Sequence, residues 1–450
     1  MRLVEKNYKL LIFIVFALLL HINIFGEVTM QEEFKIAFIA DAHFHDVYAE
    51  FKDDSFEGLK NSITGKNSKI RTMEAQLTST RLFNENYYAL NATLEDLAGK
   101  DIKYVGLVGD FSDDGQIIHL RGLKKILDSY TKKYGIQFFA IPGNHDPVKP
   151  VDNPNGKSDF LGKGGQEQRI FSKGAKECIN YSGKKAVINT GKGLPTICTE
   201  EILELGYTGI INEMGKYGFY PQKDYLYWAT PYSTYNYEMY NYEKAVKESV
   251  LSKRTYEECF EGTGGKYKKE NYTNCLMVED STYLVEPIKG IWLLAIDANV
   301  YVPTKEINNE NHKDPQNFVG SSNAGYNKMI SHKTQTVDWI AEVVKKANEE
   351  GKILITFSHF PMVDFYDNNS KILEEIFGEG KLDLKRIPTE DTEKIMAKTG
   401  VRLNIAGHLH FNDTGVRKYD SGEFLVNVQV PSLAAYVPGY KILTVKNKNL

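Results

Sequence analysis

The chain alternates short, uninterrupted apolar runs with longer stretches whose apolar residues recur every three or four positions. Residues 34–40 (FKIAFIA), 104–108, 137–141, 290–296 (GIWLLAI), 353–357 and 401–405 are near-continuous apolar runs of strand length. Tyr87, Leu90, Leu94 and Leu97 within 85–100 fall on one helical face. So do Leu120, Leu123, Ile126 and Leu127 within about 117–134, and Val337, Ile340, Val343 and Val344 further on. The pattern predicts an α/β fold. Its first three strands are joined by helices and hence by right-handed parallel crossovers, so the residues that follow each strand should emerge at one sheet edge. The charged stretch 372–398 predicts two short helices, and 423–430 and 440–445 predict closing antiparallel strands.

From 147 to 289 this rhythm stops. The sequence there is rich in Tyr, Lys and Gly and carries all four cysteines, which reads as a subdomain inserted into a core domain spanning 34–446. Ten tyrosines fall between Tyr207 and Tyr242. Their rings could form a stacking or glycan-facing surface, but packing of a small subdomain is the favoured reading. Cys178, Cys198, Cys259 and Cys275 have no zinc-ribbon spacing. In an oxidising compartment they could form two disulfides, Cys178 with Cys198 and Cys259 with Cys275 being the local pairing of three, with four free thiols as the alternative.

The N-terminus differs from the rest. Arg2, Lys6 and Lys9 precede an apolar run from Leu10 to Leu20, broken by His21 and Asn23. Eleven apolar residues suit a signal peptide over 1–26 and fall short of the roughly 20 that a spanning helix needs. The expectation is export to a periplasmic, cell-surface or secreted location, with membrane attachment only if this segment stays uncleaved. The 42% hydrophobic and 25% charged content is that of an ordinary folded chain. A net charge of −4 argues against nucleic acid as the main partner and leaves room for a small phosphorylated substrate held by metal.

Chemistry gathers where the apolar runs stop. Asp41 and His43 follow the first, Asp110 the second, Asn144 and His145 the third, His359 the run at 353–357, and His408 and His410 the run at 401–405. Asp297 also closes a strand, and could equally fix a turn. Strand ends of this kind form the ligand-binding edge of α/β sheets. Two carboxylates, an amide oxygen and several imidazoles suit Mn, Fe or Zn better than Ca or Mg. Seven ligands exceed what one catalytic ion can use and fit two divalent ions sharing a carboxylate, about 3.5–4 Å apart. His145, next to a ligand on an extended backbone, would face away from Asn144 and serve as acid or base. Of the histidines after residue 26, only His45, His119, His312 and His332 stand outside the set.

In this order, Asp41-Ala-His43, Gly109-Asp110, Gly143-Asn144-His145-Asp146, His359 and Gly407-His408-Leu409-His410 resemble the motifs of the calcineurin-like metallophosphoesterases. The resemblance implies a sandwich of two mixed β-sheets between helices. It implies that Asp41, His43 and His410 hold one metal, that Asn144, His359 and His408 hold the other, and that Asp110 bridges them. His145 would then stabilise the transferring phosphoryl group or protonate the leaving oxygen. Position 113 is Asp113 where the purple acid phosphatases have tyrosine, and only 40 residues follow His410, too few for the substrate domain of the 5'-nucleotidase branch. The run from Gly109 to Gly115 looks most like exported bacterial members and the cyclic-nucleotide phosphodiesterases. The expected function is hydrolysis of phosphoric mono- or diesters outside the cytoplasm. The alternative is a surface interaction protein with a structural metal core and a tyrosine-rich binding insertion.

Overall fold

Apolar runs that carry β-branched and aromatic side chains on both faces must be covered on both faces, and the chain meets this demand with two stacked sheets. The computed structural model describes residues 33–179, 193–307, 312–321 and 325–446. The segment read as a signal peptide or anchor lies outside these residues. Among the described residues no helix is long and apolar enough to cross a membrane. The main unit is Ile36–Ile442, which contains every residue of the site described below; the described residues of a second, small unit are 33–35 and 443–446.

Strands β1 (Glu33–Ile39), β2 (Tyr104–Val108) and β3 (Gln137–Ile141) lie side by side and parallel. Helix α1 (Asn86–Gly99) precedes β2 and buries Leu90, Leu94 and Leu97; α2 (Ile117–Tyr134) precedes β3 and buries Leu120, Leu123 and Leu127. Gly135 ends α2 in the left-handed region, which a residue without Cβ adopts at least cost. The predicted helices and strands in this half match to within a residue.

The second sheet is mixed. It contains β4 (Tyr227–Ala229), β5 (Tyr283–Ile288), β6 (Ile291–Ile296), β7 (Ile353–Ser358), β8 (Leu403–Ala406), β9 (Asp413–Lys418) and β10 (Phe424–Gln429), in the order β9-β10-β8-β7-β6-β5-β4. Helix α3 (Thr334–Glu349) leads into β7, while α4 (Ser370–Phe377) and α5 (Glu390–Lys398) are the two short helices expected in the charged stretch. The strand expected at 423–430 is β10, which pairs antiparallel with β9 on one side and parallel with β8 on the other. Strand β9 was not anticipated because it is an edge strand with only Gly415 buried, so its sequence carries no apolar signal.

The sheets pack face to face. Phe38 of β1 meets Phe357 of β7 with ring centroids 5.8 Å apart, and the Tyr283 hydroxyl of β5 donates to the Ala140 carbonyl of β3 at 3.0 Å. Gly106 makes room for this layer, since a Cβ there would lie 2.6 Å from the Phe38 ring.

The segment 147–289 is woven into this core, giving β4 and β5 to the second sheet. It also builds two small three-stranded sheets, Gly156–Leu161 with Glu167–Phe171 and Leu194–Cys198, and Thr255–Cys259 with Gly262–Thr263 and Leu276–Glu279. Cys178 is bonded to Cys198 and Cys259 to Cys275. The tyrosines pack rather than form an open platform: Tyr227 is buried, stacks on Trp292 at 5.6 Å, and is ringed by Tyr235, Tyr237 and Tyr240.

A testable cost lies in the second small sheet. Glu258 is fully buried; the Tyr256 hydroxyl donates to Oε2 at 2.9 Å, and Oε1 has no partner. Burial pushes its carboxyl up to about 8, only partly offset by Tyr256, Lys333 and Lys328. The folded protein therefore prefers the protonated form, and stability is lost as pH rises from the unfolded value of 4.5 toward 8, then levels off. Thermal unfolding of Glu258→Gln should match the native protein at pH 5 and exceed it by several degrees at pH 8. A difference independent of pH would disprove the burial argument.

Candidate metal centre

Because β1, β2 and β3 are parallel, their carboxyl ends open at one edge, and the ends of β7 and β8 open beside them. Asp41 and His43 follow β1, Asp110 follows β2, and Asn144 and His145 follow β3. His359 follows β7, and His408 and His410 follow β8. The structure brings all eight together, although His43 and His410 are 367 positions apart.

Asp110 lies at the middle. Its Oδ2 is 3.2 Å from His359 Nε2 and 3.7 Å from His43 Nε2, while its Oδ1 accepts the His145 backbone N–H at 2.8 Å. On the His43 side, His410 Nε2 is 3.3 Å from His43 Nε2 and 3.4 Å from Asp41 Oδ1. On the His359 side, His359 Nε2 is 3.1 Å from Asn144 Oδ1 and 3.2 Å from His408 Nδ1. One ring nitrogen cannot hydrogen-bond in three directions, so this crowding of lone pairs is better suited to cations than to hydrogen bonds within the chain. His43 Nδ1 and His410 Nδ1 are buried without a partner. The donor set thus fits two divalent ions, one on each side of Asp110, in the partition that the motifs imply.

The loops are strained to achieve this. Asp41, His43, Asp110, His408 and His410 have φ of 47°, 37°, 48°, 80° and 63°, a region that side chains occupy at a cost of about 1–3 kcal/mol each. Three glycines give the space. A Cβ on Gly109 would lie 2.5 Å from the His359 ring, one on Gly407 would lie 2.8 Å from the Asp41 carboxylate, and one on Gly143 would strike Asp110 Oδ1. Asp146 accepts the backbone N–H of Ser112 at 2.8 Å and of Gly143 at 2.9 Å, tying the Asp110 loop to the Asn144 loop. Asn86, the first residue of α1, donates to the His43 carbonyl at 2.5 Å and accepts from His45 N–H at 3.1 Å. Asp297 stays outside the site and fixes a turn, accepting from Ser281 and Tyr207.

The charges oppose burial. Burial would raise the Asp110 carboxyl, but His359, His145 and His43 hold it well below the usual range. Burial would lower His359, yet Asp110 and Asp41 lift it to about 9. Burial holds His43 and His408 well below the ordinary histidine value, leaving both neutral, the form in which imidazole binds a metal.

His145 stands partly exposed at the mouth of the site, its ring 5.0 Å from that of His43. Its Nδ1 donates to Asp114, and its Nε2 accepts from Arg81 at 2.7 Å. Behind it runs a buried network that the sequence did not reveal. Lys157 reaches Asp114 and lies 3.2 Å from Asp113; Arg71 donates to Asp113 at 3.0 Å and to Asp159 at 2.5 and 2.6 Å. Burial would raise the Asp114 carboxyl, but Lys157 and His145 hold it far down. His45, Asp113 and His119 also converge here, without the makings of a metal site. His119 Nδ1 accepts the Asp46 N–H at 3.0 Å, so its proton sits on the nitrogen facing Asp113, and Asp113 is already neutralised by Arg71 and Lys157. Arg386, equally unforeseen, donates to His408 Nε2. The two arginines share with Asp110, Asn144, His145, His408 and His410 the lining of a cleft of about 430 Å³. No motif announced them, because lone arginines in loops look alike in sequence.

Residues 34–248 match the calcineurin-like phosphoesterase family. That span holds Asp41, His43, Asp110, Asn144 and His145; the remaining three histidines lie beyond it and reach the same place through the fold. Two solved structures are similar over most of the chain. A dimetal phosphatase from Danio rerio shares 12% identity over 91% of each chain, with a TM-score of 0.38. The phosphopantetheinyl hydrolase of Mycobacterium tuberculosis shares 11% over 90% of this chain and 93% of its own, with a TM-score of 0.27. No curated protein matches the sequence.

The glycine contacts give a direct test. Gly143→Ala should displace the Asp110 carboxylate and weaken binding of Mn or Zn at least tenfold by calorimetry, with the unfolding midpoint of the metal-free protein changed by only a few degrees. Unaltered binding would show that the close approach at Gly143 is not required.

Proposed function

We propose that the whole span from Asp41 to His410 is a calcineurin-like phosphoesterase site that hydrolyses phosphoric esters with two divalent ions. The observation that carries this reading is the shared carboxylate: Asp110 Oδ2 lies between His359 and His43, with further donors on each side. Asp41, His43 and His410 would hold one ion, Asn144, His359 and His408 the other, and Mn, Fe or Zn suits the set. Ions so bound supply a water acidified to near neutrality and a positive clamp on the phosphate oxygens.

The chain's own residues supply the rest. Arg81 and Arg386 present guanidinium groups to the cleft, where they can pair with phosphate oxygens. Asp114, half-buried and held ionised by Lys157, accepts a hydrogen bond from His145 Nδ1 and fixes the ring with Nε2 toward the cleft. Nε2 accepts from Arg81 and so carries no proton; when substrate enters, Arg81 must leave it for the phosphate and Nε2 must take up a proton from water before it can hand one to the departing oxygen. The cleft is of a size to take the phosphorylated part of a substrate. The reading as a surface binding protein loses its support, since the tyrosines proposed as a glycan platform are packed around Tyr227 and Trp292.

Action outside the cytoplasm belongs to the same proposal. Its support is the cationic and apolar N-terminal pattern together with the two disulfides.

Three variants separate the roles. Asp110→Ala and His359→Ala should each lose bound metal and turnover together. His145→Ala should keep both ions and lose about 10²- to 10⁴-fold in rate, most for poor leaving groups and least for activated aryl esters. Metal analysis and kinetics on the Mn-loaded protein, over a panel of phosphomonoesters, cyclic nucleotides and phospholipid diesters, provide the test. Full turnover in Asp110→Ala would rule out the assignment, and an equal loss for every leaving group in His145→Ala would rule out proton donation.

A further inference from the structure

We infer that the mouth of the cleft docks on a lipid bilayer and that the ester hydrolysed is carried by a lipid. The inference rests on the phosphoesterase reading and deepens it. Among the described residues, six large apolar side chains are more than 60% exposed. Five are Met73 at 66%, Leu77 at 78%, Ile376 at 65%, Tyr436 at 90% and Val437 at 70%; the sixth is Ile63. The five belong to three segments, each of which leads to the cleft. Leu77 ends the short helix Met73–Leu77, three residues before Thr80 and four before Arg81, both of which line the cleft. Tyr436 and Val437 follow Ala434, whose carbonyl accepts the Leu82 N–H at 2.6 Å, so this loop is pinned beside Arg81. Ile376 lies on α4, in the stretch that leads to Asp383 and Arg386 of the lining.

Helix α4 buries none of its residues, yet its sequence is amphipathic. Ile372 and Ile376, one turn apart, join Phe377 in an exposed apolar stripe, and Leu382 is exposed in the turn that follows. Single apolar side chains projecting from separate segments around a polar, cationic pocket suit a bilayer surface. The tips enter the region between headgroups and chains while the phosphate passes inward to the arginines. A protein seated on the same three segments would cover the opening that substrate must use. Charge on the α4 segment is balanced, with Lys371, Lys381, Lys385 and Arg386 against Glu374, Glu375, Glu379 and Asp383, so docking would be driven by apolar contact rather than by anionic lipid. Left uncleaved, the N-terminal run from Leu10 to Leu20 behind Arg2, Lys6 and Lys9 would add a membrane attachment.

The test uses the full chain. Phe377→Trp and Tyr436→Trp, prepared singly, should gain tryptophan fluorescence that phosphatidylcholine vesicles with brominated acyl chains quench, after subtraction of the native tryptophans. The same substitution at Val246, exposed on the helix Tyr242–Glu248 of the insertion, should give a signal that they do not quench. Replacing both Ile376 and Phe377 with Glu should lower hydrolysis of phosphatidic acid in such vesicles at least tenfold and leave hydrolysis of p-nitrophenyl phosphate within twofold. Absence of quenching at both positions overturns the inference, as does an equal loss on both esters. A stable dimer in vesicle-free buffer that the Glu pair dissociates overturns it in favour of a second copy of the chain. Quenching with no hydrolysis of either ester would uphold the docking and refute the phosphoesterase reading instead.

Discussion

A carboxylate removed from water must be neutralised where it sits, and Asp110 meets that condition by lying 3.2 Å from His359, whose imidazole is lifted to about 9. Much else follows from this one buried charge. Three strands must end level with it, which parallel pairing of β1, β2 and β3 secures. The loops must turn sharply enough to aim side chains back at it, which places five of the site residues at positive φ. Backbone must approach within contact distance, which leaves Gly109, Gly143 and Gly407 no room for a side chain. Asp146 then fastens two of these loops to each other through backbone amides. The strain is spread over many hydrogen bonds, as expected where geometry is held for chemistry rather than for stability.

The parts of this arrangement written locally were legible in the sequence. Apolar runs flanked by helical periodicity fix the parallel core, and the ligand-type residues are those that follow each run. The rest depends on distance. Arg81, Arg386 and Asn86 carry no local mark, because their value comes from what the fold sets opposite them. Lys157 and Asp159 were hidden for another reason. They lie in the segment whose composition suggests a separate insertion, yet they pair with Asp113, Asp114 and Arg71 of the core. Strand β9, the antiparallel partner of β10, carries no local mark either, because an exposed edge strand needs no apolar pattern.

The segment 147–289 accordingly does more than decorate. By completing the second sheet with β4 and β5 and by placing Lys157 against Asp114, it links the orientation of His145 to a region stapled by its own disulfides. Loosening that segment would disturb His145 while leaving the other strand-end residues in place.

His43 and His410 face each other across 367 positions of chain, and this separation sets an order in time. During synthesis the first of these side chains emerge long before their partners, so no partial chain can present the full cluster. A nascent chain offers only scattered side chains of low affinity, and metal selection is deferred until the last strands are home. On the proposed two-ion reading, the place where folding finishes would decide which ion the protein receives.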